Sequence, residues 1–247
     1  LWTHNDSGGR PRIFAVDSAG RAAVEVEVAG AHARDWEDIA MGPCPSGACL
    51  YIGDIGDNDA VRGEIVVYRV PEPEPGALAT SPAESFAARY PGGPRDAEAL
   101  FVLPSGEIYI LTRGRGHPIE LYRYPLPLQP GGTVVLERVR QISPGPVSRP
   151  HQVTGANATP DGAWVAVRTY RTLFLYRTAD LLAGPETGAR SVDLSVLGEP
   201  QGEGVAIRPD GQVVLTSEGV AKRTAATMSR LACTLQPGGS GAPPATP

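Results

Sequence analysis

Lysine is almost missing from this sequence: Lys222 is the single lysine among 22 basic side chains, and the rest are arginine. That bias reads as codon usage and says nothing about function. No apolar run approaches the roughly 20 residues a helix needs to cross a bilayer, so insertion into a membrane is not expected. A basic surplus is absent too. With 27 acidic residues against 22 basic ones the formal net charge is −5, which argues against nucleic acid or an anionic membrane as the main partner. There are three cysteines, and the loop holding Cys44 and Cys49 supplies too few further ligands for zinc. Familiar catalytic signatures are lacking as well. There is no Gly-x-Ser-x-Gly elbow and no phosphate-binding P-loop. Gly114-Arg115-Gly116 is followed by no helical pattern, which removes a dinucleotide reading. Asp54-Ile55-Gly56-Asp57-Asn58-Asp59 lacks the spacing and closing glutamate of an EF-hand; it either adds Asp57 or Asn58 to a site or forms an Asx-rich loop.

Glycine and proline are abundant instead. The 30 Gly and 25 Pro make up more than a fifth of the 247 residues, yet 41% of the chain is hydrophobic. A disordered chain would lack that apolar content, so the combination points to an all-β domain with many tight turns. Cys44 and Cys49 flank a short turn between two apolar runs, and a disulfide across it would suit an exported protein. Cys233 has no partner in sequence and is expected to be a buried thiol. Leu1-Trp2-Thr3-His4 reads as mid-strand without an initiator methionine, so a processed N-terminus with a removed signal peptide is expected. Residues 238–247 read as a flexible tail.

Three turns are alike: Leu103-Pro104-Ser105-Gly106, Thr159-Pro160-Asp161-Gly162 and Arg208-Pro209-Asp210-Gly211. Pro, then Ser or Asp, then Gly is type I turn chemistry. Each turn is preceded by a short apolar run and followed by an alternating one: 107–112, 163–168 and 212–217. A third strand recurs around Tyr68-Arg69, Tyr122-Arg123 and Tyr176-Arg177, in steps of 54 residues. A fourth falls at 23–28, 85–90, 134–140 and 191–194, and Thr178 to Ala183 allows a turn or two of helix. Four short antiparallel strands per repeat describe a propeller blade. The expected architecture is one β-propeller domain over 1–237, with five blades at 1–33, 34–92, 93–149, 150–198 and 199–236. A six-bladed or open ring and a large β-sandwich are the alternatives. Blade 1 lacks an inner strand and blade 5 an evident outer one; a segment before Leu1 is expected to have closed the ring.

Alignment on the turn glycines makes Glu98, Thr154 and Glu203 equivalent, each eight residues before its glycine, and Glu37 fills the same place in blade 2. Arg113, Thr169 and Glu218 follow 15 residues later, at the end of the second strand, where Asp6 and Asp54 also belong. One face therefore collects Asp6, Glu37, Asp54, Glu98, Glu203 and Glu218. Converging carboxylates repel, and Ca²⁺, with its preference for oxygen ligands, would relieve them. The plainer reading has these acids capping strand ends. Arg113, Arg115, Arg168 and Arg171 fall in neighbouring loops and suit an anionic ligand. All four histidines, His4, His32, His117 and His151, map to loops of this face; His4 and His151 are the best placed for acid–base work.

Asp35-Trp36-Glu37-Asp38-Ile39-Ala40, Asp96-Ala97-Glu98-Ala99-Leu100 and Gly202-Glu203-Gly204-Val205-Ala206 resemble the blade openings of secreted bacterial propellers of the phytase-like and gluconolactonase/paraoxonase types. The resemblance covers blades 2 to 5. It implies an axial calcium near Glu37, Glu98 and Glu203, with Asn5 and Asn157 as neutral ligands. Two features depart from it: Thr154-Gly155-Ala156 stands where an acid belongs, and those families usually have six blades. The resulting expectation is a secreted bacterial, monomeric, Ca²⁺-dependent hydrolase of a phosphate ester or lactone, handling a small anionic molecule or carbohydrate. The alternative is a non-catalytic ligand- or partner-binding propeller with a structural metal.

Overall fold

The three recurring turns each close a hairpin. Gly106, Gly162 and Gly211 take φ of +86°, +69° and +82°, values open to glycine without a Cβ clash, and their N–H groups donate to Leu103, Thr159 and Arg208 carbonyls. The computed structural model describes residues 1–6, 8–184, 188–219 and 225–235. The hairpins build a five-bladed β-propeller.

Blade 1 has three strands, β1 (Trp2–His4), β2 (Arg12–Val16) and β3 (Ala22–Glu27). Blade 2 contains β4 (Trp36–Cys44), β5 (Gly47–Asp54), β6 (Ile65–Pro71) and β7 (Glu84–Arg89). Blade 3 contains β8 (Ala97–Val102), β9 (Ile108–Thr112) and β10 (Glu120–Arg123). The outer strand expected over 134–140 is two strands, β11 (Thr133–Val135) and β12 (Glu137–Gln141). β12 completes blade 3, whereas β11 pairs parallel to β7 and gives blade 2 a fifth strand. The break falls at Leu136, buried in the core between blades 2 and 3. Blade 4 contains β13 (Val153–Ala158), β14 (Trp164–Thr169), β15 (Thr172–Arg177) and, after helix α1 (Thr178–Ala183), β16 (Arg190–Asp193). Blade 5 contains β17 (Gln201–Ile207), β18 (Gln212–Glu218) and β19 (Thr227–Ala232). The tail at 238–247 lies outside the described residues. Among the described residues no helix is long and apolar enough to cross a membrane.

Adjacent blades bury apolar faces against each other, because both faces of a central blade read as period-2 apolar rows. Ile13, Val26, Trp36 and Ile52 fill the contact between blades 1 and 2. Tyr51, Val67, Leu100 and Ile110 fill the next. Phe101, Leu111, Leu121 and Val165 join blades 3 and 4, and Leu173, Leu175, Val213 and Leu215 join blades 4 and 5. A closed five-bladed ring has five such contacts, and among the described residues there are four hydrophobic clusters. Blade 5 reaches blade 1 through the Arg230 guanidinium on the Ser18 carbonyl and through Met228 against Gly20. A cavity of about 1600 Å³ opens between them and runs to the axis.

Polar side chains tie the inner strands together. Asp38 Oδ2 accepts the Leu100 N–H at 2.8 Å and the Ala156 N–H at 3.1 Å, so one carboxylate joins blades 2, 3 and 4. Asn157 Oδ1 accepts the Ile207 N–H at 3.1 Å; it stitches blade 4 to blade 5, a structural duty in place of the ligand role that the resemblance implied. Thr154 Oγ1 donates to the Gly202 carbonyl at 2.9 Å. Beside it, a Cβ on Gly155 would stand 2.4 Å from the Glu203 carbonyl oxygen. The Thr-Gly-Ala departure in blade 4 thus reflects close approach of two inner strands.

The Cys44–Cys49 disulfide closes the β4–β5 hairpin. Cys233 is free and half-buried, less enclosed than its apolar surroundings in sequence suggested.

Candidate functional site

Each inner strand carries an irregularity at the same place. The pairing register shifts between Trp36 and Asp38, between Ala97 and Ala99, between Val153 and Gly155, and between Gly202 and Gly204. The residues skipped are Glu37, Glu98, Thr154 and Glu203: the three positions that the turn alignment made equivalent, and Glu37 in the same place of blade 2. A bulge adds one residue to a strand and re-aims its side chain; here it turns each of the four away from the ladder. Glu37, Glu98 and Glu203 thereby reach the mouth of the axial cavity, together with Asp6, Asn5 and Glu218.

The acidic groups fall into two sets. Asp6, Asp35 and Glu37 offer oxygen atoms that all lie within 4.8 Å of one another. Asp35, absent from the sequence-derived set, is held by the chain around it: Asp54 accepts the Arg34 and Asp35 N–H groups at 3.1 and 3.2 Å. Asp54 itself is buried against Arg62 at 2.8 Å and does not line the cavity. It is spent on structure, as strand-end acids often are. Gly56 lies beneath Asp35 and Glu37, where an added Cβ would stand 2.1 Å from Glu37 Oε1 and 2.5 Å from Asp35 Oδ2.

The second set is a chain of contacts across the mouth. Glu37 hydrogen-bonds Glu98, and Glu98 is ion-paired with Arg113. Arg113 also donates to Tyr170 Oη at 2.8 Å and Gln152 Oε1 at 3.2 Å, and the Tyr170 hydroxyl donates to Glu203 Oε1 at 3.4 Å. Asn58 Oδ1 receives both Arg113 Nη1 at 3.3 Å and the exposed Arg115 Nη1 at 2.9 Å. Asp57 is occupied within its own loop, accepting the Val61 and Arg62 N–H groups. Its own N–H donates to Asp96 Oδ1 at 3.0 Å, while buried Asp96 Oδ2 faces Arg113 Nη1 at 3.6 Å.

Electrostatics follow from this crowding. Burial, and after it the charges of Glu98, Asp6 and Asp35, raise Glu37 far above the carboxylate range, and Glu37 donates its retained proton to Glu98. Burial and then Asp6 lift Asp35 to about 6. Burial raises Glu203 to about 7, with Glu218 adding to the push. Burial also raises Glu218. His4 goes the other way: its burial lowers it and keeps the ring neutral, against the opposing Asn5 carbonyl and Asp6 charge.

The remaining sequence-derived positions separate. His4 lines the cavity, with Nδ1 3.0 Å from the Asn5 carbonyl and its ring edge-on to Trp36. His151 is exposed at the end of a short 3-10 helix and does not line the cavity. Arg168 does not reach the mouth either. It is fully buried in β14, paired with Glu199 at 2.6 Å and donating to the Gly204 and Thr216 carbonyls. A guanidinium so enclosed has no face left for a ligand. Arg171 lies on the surface near Asp193.

No family model matches the chain, and no curated protein matches it. Among solved structures the chain is similar to the PQQ-bound aldose sugar dehydrogenase of Streptomyces coelicolor, at 13% identity and a TM-score of 0.46, over 93% of this chain and 73% of that one. The periplasmic gluconolactonase PpgL of Pseudomonas aeruginosa aligns at 15% identity and a TM-score of 0.41, over 93% and 65%. The Dos1 propeller aligns at 9% identity and a TM-score of 0.40, over 84% of this chain and about half, 48%, of that one.

Proposed function

We propose that the acidic mouth holds a divalent cation, Ca²⁺ by its all-oxygen donors, and that this exported bacterial propeller hydrolyses a phosphate ester or a lactone. The observation that carries the reading is the convergence of Asp6, Asp35 and Glu37 oxygens within 4.8 Å. The fit is supported by one further feature, the proton that Glu37 has to retain beside Glu98. It is a sign of negative charge awaiting compensation. The donors are carboxylates throughout, which suits a hard cation over zinc. Export is supported by the Cys44–Cys49 bridge, since disulfides persist in oxidising compartments.

Asp6, Asp35 and Glu37 would hold the cation, with Asn5 beside them. When bound, such a cation polarises an ester or lactone carbonyl, or a phosphoryl oxygen, and lowers the pKa of coordinated water. Arg115, exposed and tethered by Asn58, would take an anionic group of the substrate. Glu203, poised at about 7, is suited to accept a proton from attacking water near neutral pH. Neutral His4 orients the Asn5 segment.

Turnover of p-nitrophenyl phosphate or of a small lactone should disappear on chelation and return with Ca²⁺. Glu203→Gln should lower kcat by about 10² or more with thermal stability unchanged or raised. Unchanged turnover after rigorous chelation overturns the catalytic reading. One observation favours the non-catalytic alternative: all three Arg113 nitrogens already have partners, so the residue acts as a strut. Stabilisation by Ca²⁺ without turnover of any ester would assign the metal a structural role in a ligand-binding propeller.

Gly56→Ala tests the cation site separately. The new methyl group would displace Glu37 and Asp35, so Ca²⁺ affinity measured by calorimetry should fall about tenfold or more, equivalent to about 1.4 kcal/mol. Affinity within twofold of the parent would remove Asp35 and Glu37 from the ligand set.

A further inference from the structure

We propose that the rim of the mouth on blades 3 and 4 is an anion-binding surface, where Arg115 and Arg149 together hold a ligand carrying two oxyanion groups. The role given above to Arg115 gains a second point of attachment and a ligand class. Binding here needs neither the cation nor turnover.

Most interior and rim arginines of this chain are neutralised. Arg62, Arg95, Arg113 and Arg168 are each paired with a carboxylate. Arg115 and Arg149 differ: both are exposed, and among the described residues neither has an acidic partner. Each is nevertheless held in place. Asn58 Oδ1 accepts Arg115 Nη1 at 2.9 Å, and the Arg149 guanidinium carbon lies 5.1 Å from the centre of the Tyr170 ring. An amide oxygen and an aromatic face fix a guanidinium without cancelling its charge. Ordering a long side chain costs conformational entropy. With that cost already met in the free protein, an incoming anion finds its donors in position.

The two side chains belong to one connected group, with Arg113 between them. Arg113 shares Asn58 with Arg115, donates to the Tyr170 hydroxyl at 2.8 Å and donates from Nε to Gln152 Oε1 at 3.2 Å. The Gln152 N–H in turn donates to the Arg149 carbonyl at 3.1 Å. Glu98 and Asp96 take up the charge of Arg113 itself, so it spaces the other two without competing for a ligand. Arg171, whose N–H donates to the Pro150 carbonyl, adds a further exposed guanidinium 3.8 Å from Asp193. Asp59, beside Asn58, is exposed and pairs with neither Arg115 nor Arg149.

On a chain of formal net charge −5 this rim is a local reversal of sign. Guanidinium forks match carboxylate, phosphate and sulfate groups bidentately. Arg115 comes from the β9–β10 loop and Arg149 from the segment entering β13, with Arg113 separating them, so one small monoanion satisfies only one of the two. A molecule with two oxyanion groups satisfies both, and its second attachment is intramolecular.

Calorimetric titration in chelator at fixed ionic strength tests this with two pairs of probes: inorganic phosphate against tripolyphosphate, and galacturonate against trigalacturonate. In at least one pair the longer probe should bind about tenfold more tightly than the shorter one, and the pair that does so identifies the group as phosphate or carboxylate. Arg115→Gln and Arg149→Gln should each weaken the longer probe about tenfold, to the level of the shorter one. Arg208→Gln removes an exposed charge at the opposite end of β17 and should change affinity by less than about twofold. Circular dichroism and Tm of all three variants should match the parent. Four results would each overturn the proposal. They are no saturable binding of either longer probe at about 1 mM, equal affinities within both pairs, parent-like binding by folded Arg115→Gln or Arg149→Gln, and an equal loss in Arg208→Gln. Binding of the longer probe without turnover of any ester would keep this surface and remove the catalytic reading; turnover without such binding would do the reverse.

Discussion

Asp38→Ala is expected to lower the unfolding free energy by about 3–5 kcal/mol, since each buried donor left without an acceptor costs about 1–3 kcal/mol. Asp38 Oδ2 serves two such donors, the Leu100 and Ala156 N–H groups, and Oδ1 serves Ile39 at 2.9 Å. The residue is buried, and the donors belong to the inner strands of three blades. Alanine would leave those strands facing one another without a shared acceptor. Asp38→Asn should be milder, near 1–2 kcal/mol: one amide oxygen can take the place of Oδ2, while its NH₂ opposes the Ile39 N–H. Urea denaturation of the two variants checks this. An alanine variant within about 1 kcal/mol of the parent would show that Asp38 does not join the blades.

In the absence of divalent cations the protein should become less stable as pH rises from 5 to 8. The direction follows from the carboxyl groups that folding raises above their ordinary values: Asp35 to about 6, Glu203 to about 7 and Asp38 to about 8, in each case chiefly by burial. In that window the folded state binds more protons than the unfolded chain, so the unfolding free energy has a negative slope with pH. The contribution is fully present below the unfolded carboxyl values near 4 and is lost as pH passes through the folded ones. The loss between pH 5 and 8 should be roughly 7 kcal/mol, at about 1.4 kcal/mol per pH unit for each carboxyl still protonated and with the half-exposed Asp35 discounted. Asp17, Asp161 and Asp193 are shifted the opposite way, chiefly by hydrogen bonds to their carboxylates, so their effect lies below this window. A bound cation competes with the retained protons. Ca²⁺ should accordingly raise Tm more at pH 8 than at pH 5, with a gain near 2.7 kcal/mol at a hundredfold excess over Kd. Thermal scans at pH 5, 6, 7 and 8, with chelator and with Ca²⁺, decide the matter. A Tm that climbs with pH in chelator would contradict the buried-carboxyl account, and a Ca²⁺ gain independent of pH would place the cation elsewhere.

Much of the fold is legible from short-range chemistry. Pro104-Ser105-Gly106, Pro160-Asp161-Gly162 and Pro209-Asp210-Gly211 specify turns through the φ of Pro and Gly, whatever surrounds them. Alternating apolar runs then specify strands, and their spacing specifies blades. The Cys44–Cys49 pair is equally local, five residues apart across one hairpin. Equivalence of Glu98, Thr154 and Glu203 also followed from counting back from turn glycines, and Glu37 joined them through its place in Asp35-Trp36-Glu37-Asp38-Ile39-Ala40.

What those side chains touch was decided only by tertiary structure. The bulges that turn the four residues out of the ladder leave no mark in composition. Asp54 and Arg168 share the register of cavity-lining groups, yet Arg62 and Glu199 claim them; both partners are loop residues at spacings that no repeat predicts. Asp35 joins the acidic cluster because Asp54 accepts its backbone N–H, and β11 leaves blade 3 for blade 2 because Leu136 is drawn into the core between them. Turn type and strand period are set by a residue and its immediate neighbours. The partner of a buried charge is set by which chain segments the ring brings within a few ångströms. From the sequence alone came five blades and one acidic face; the division of that face into structural pairs and a compact carboxylate cluster required the ring itself.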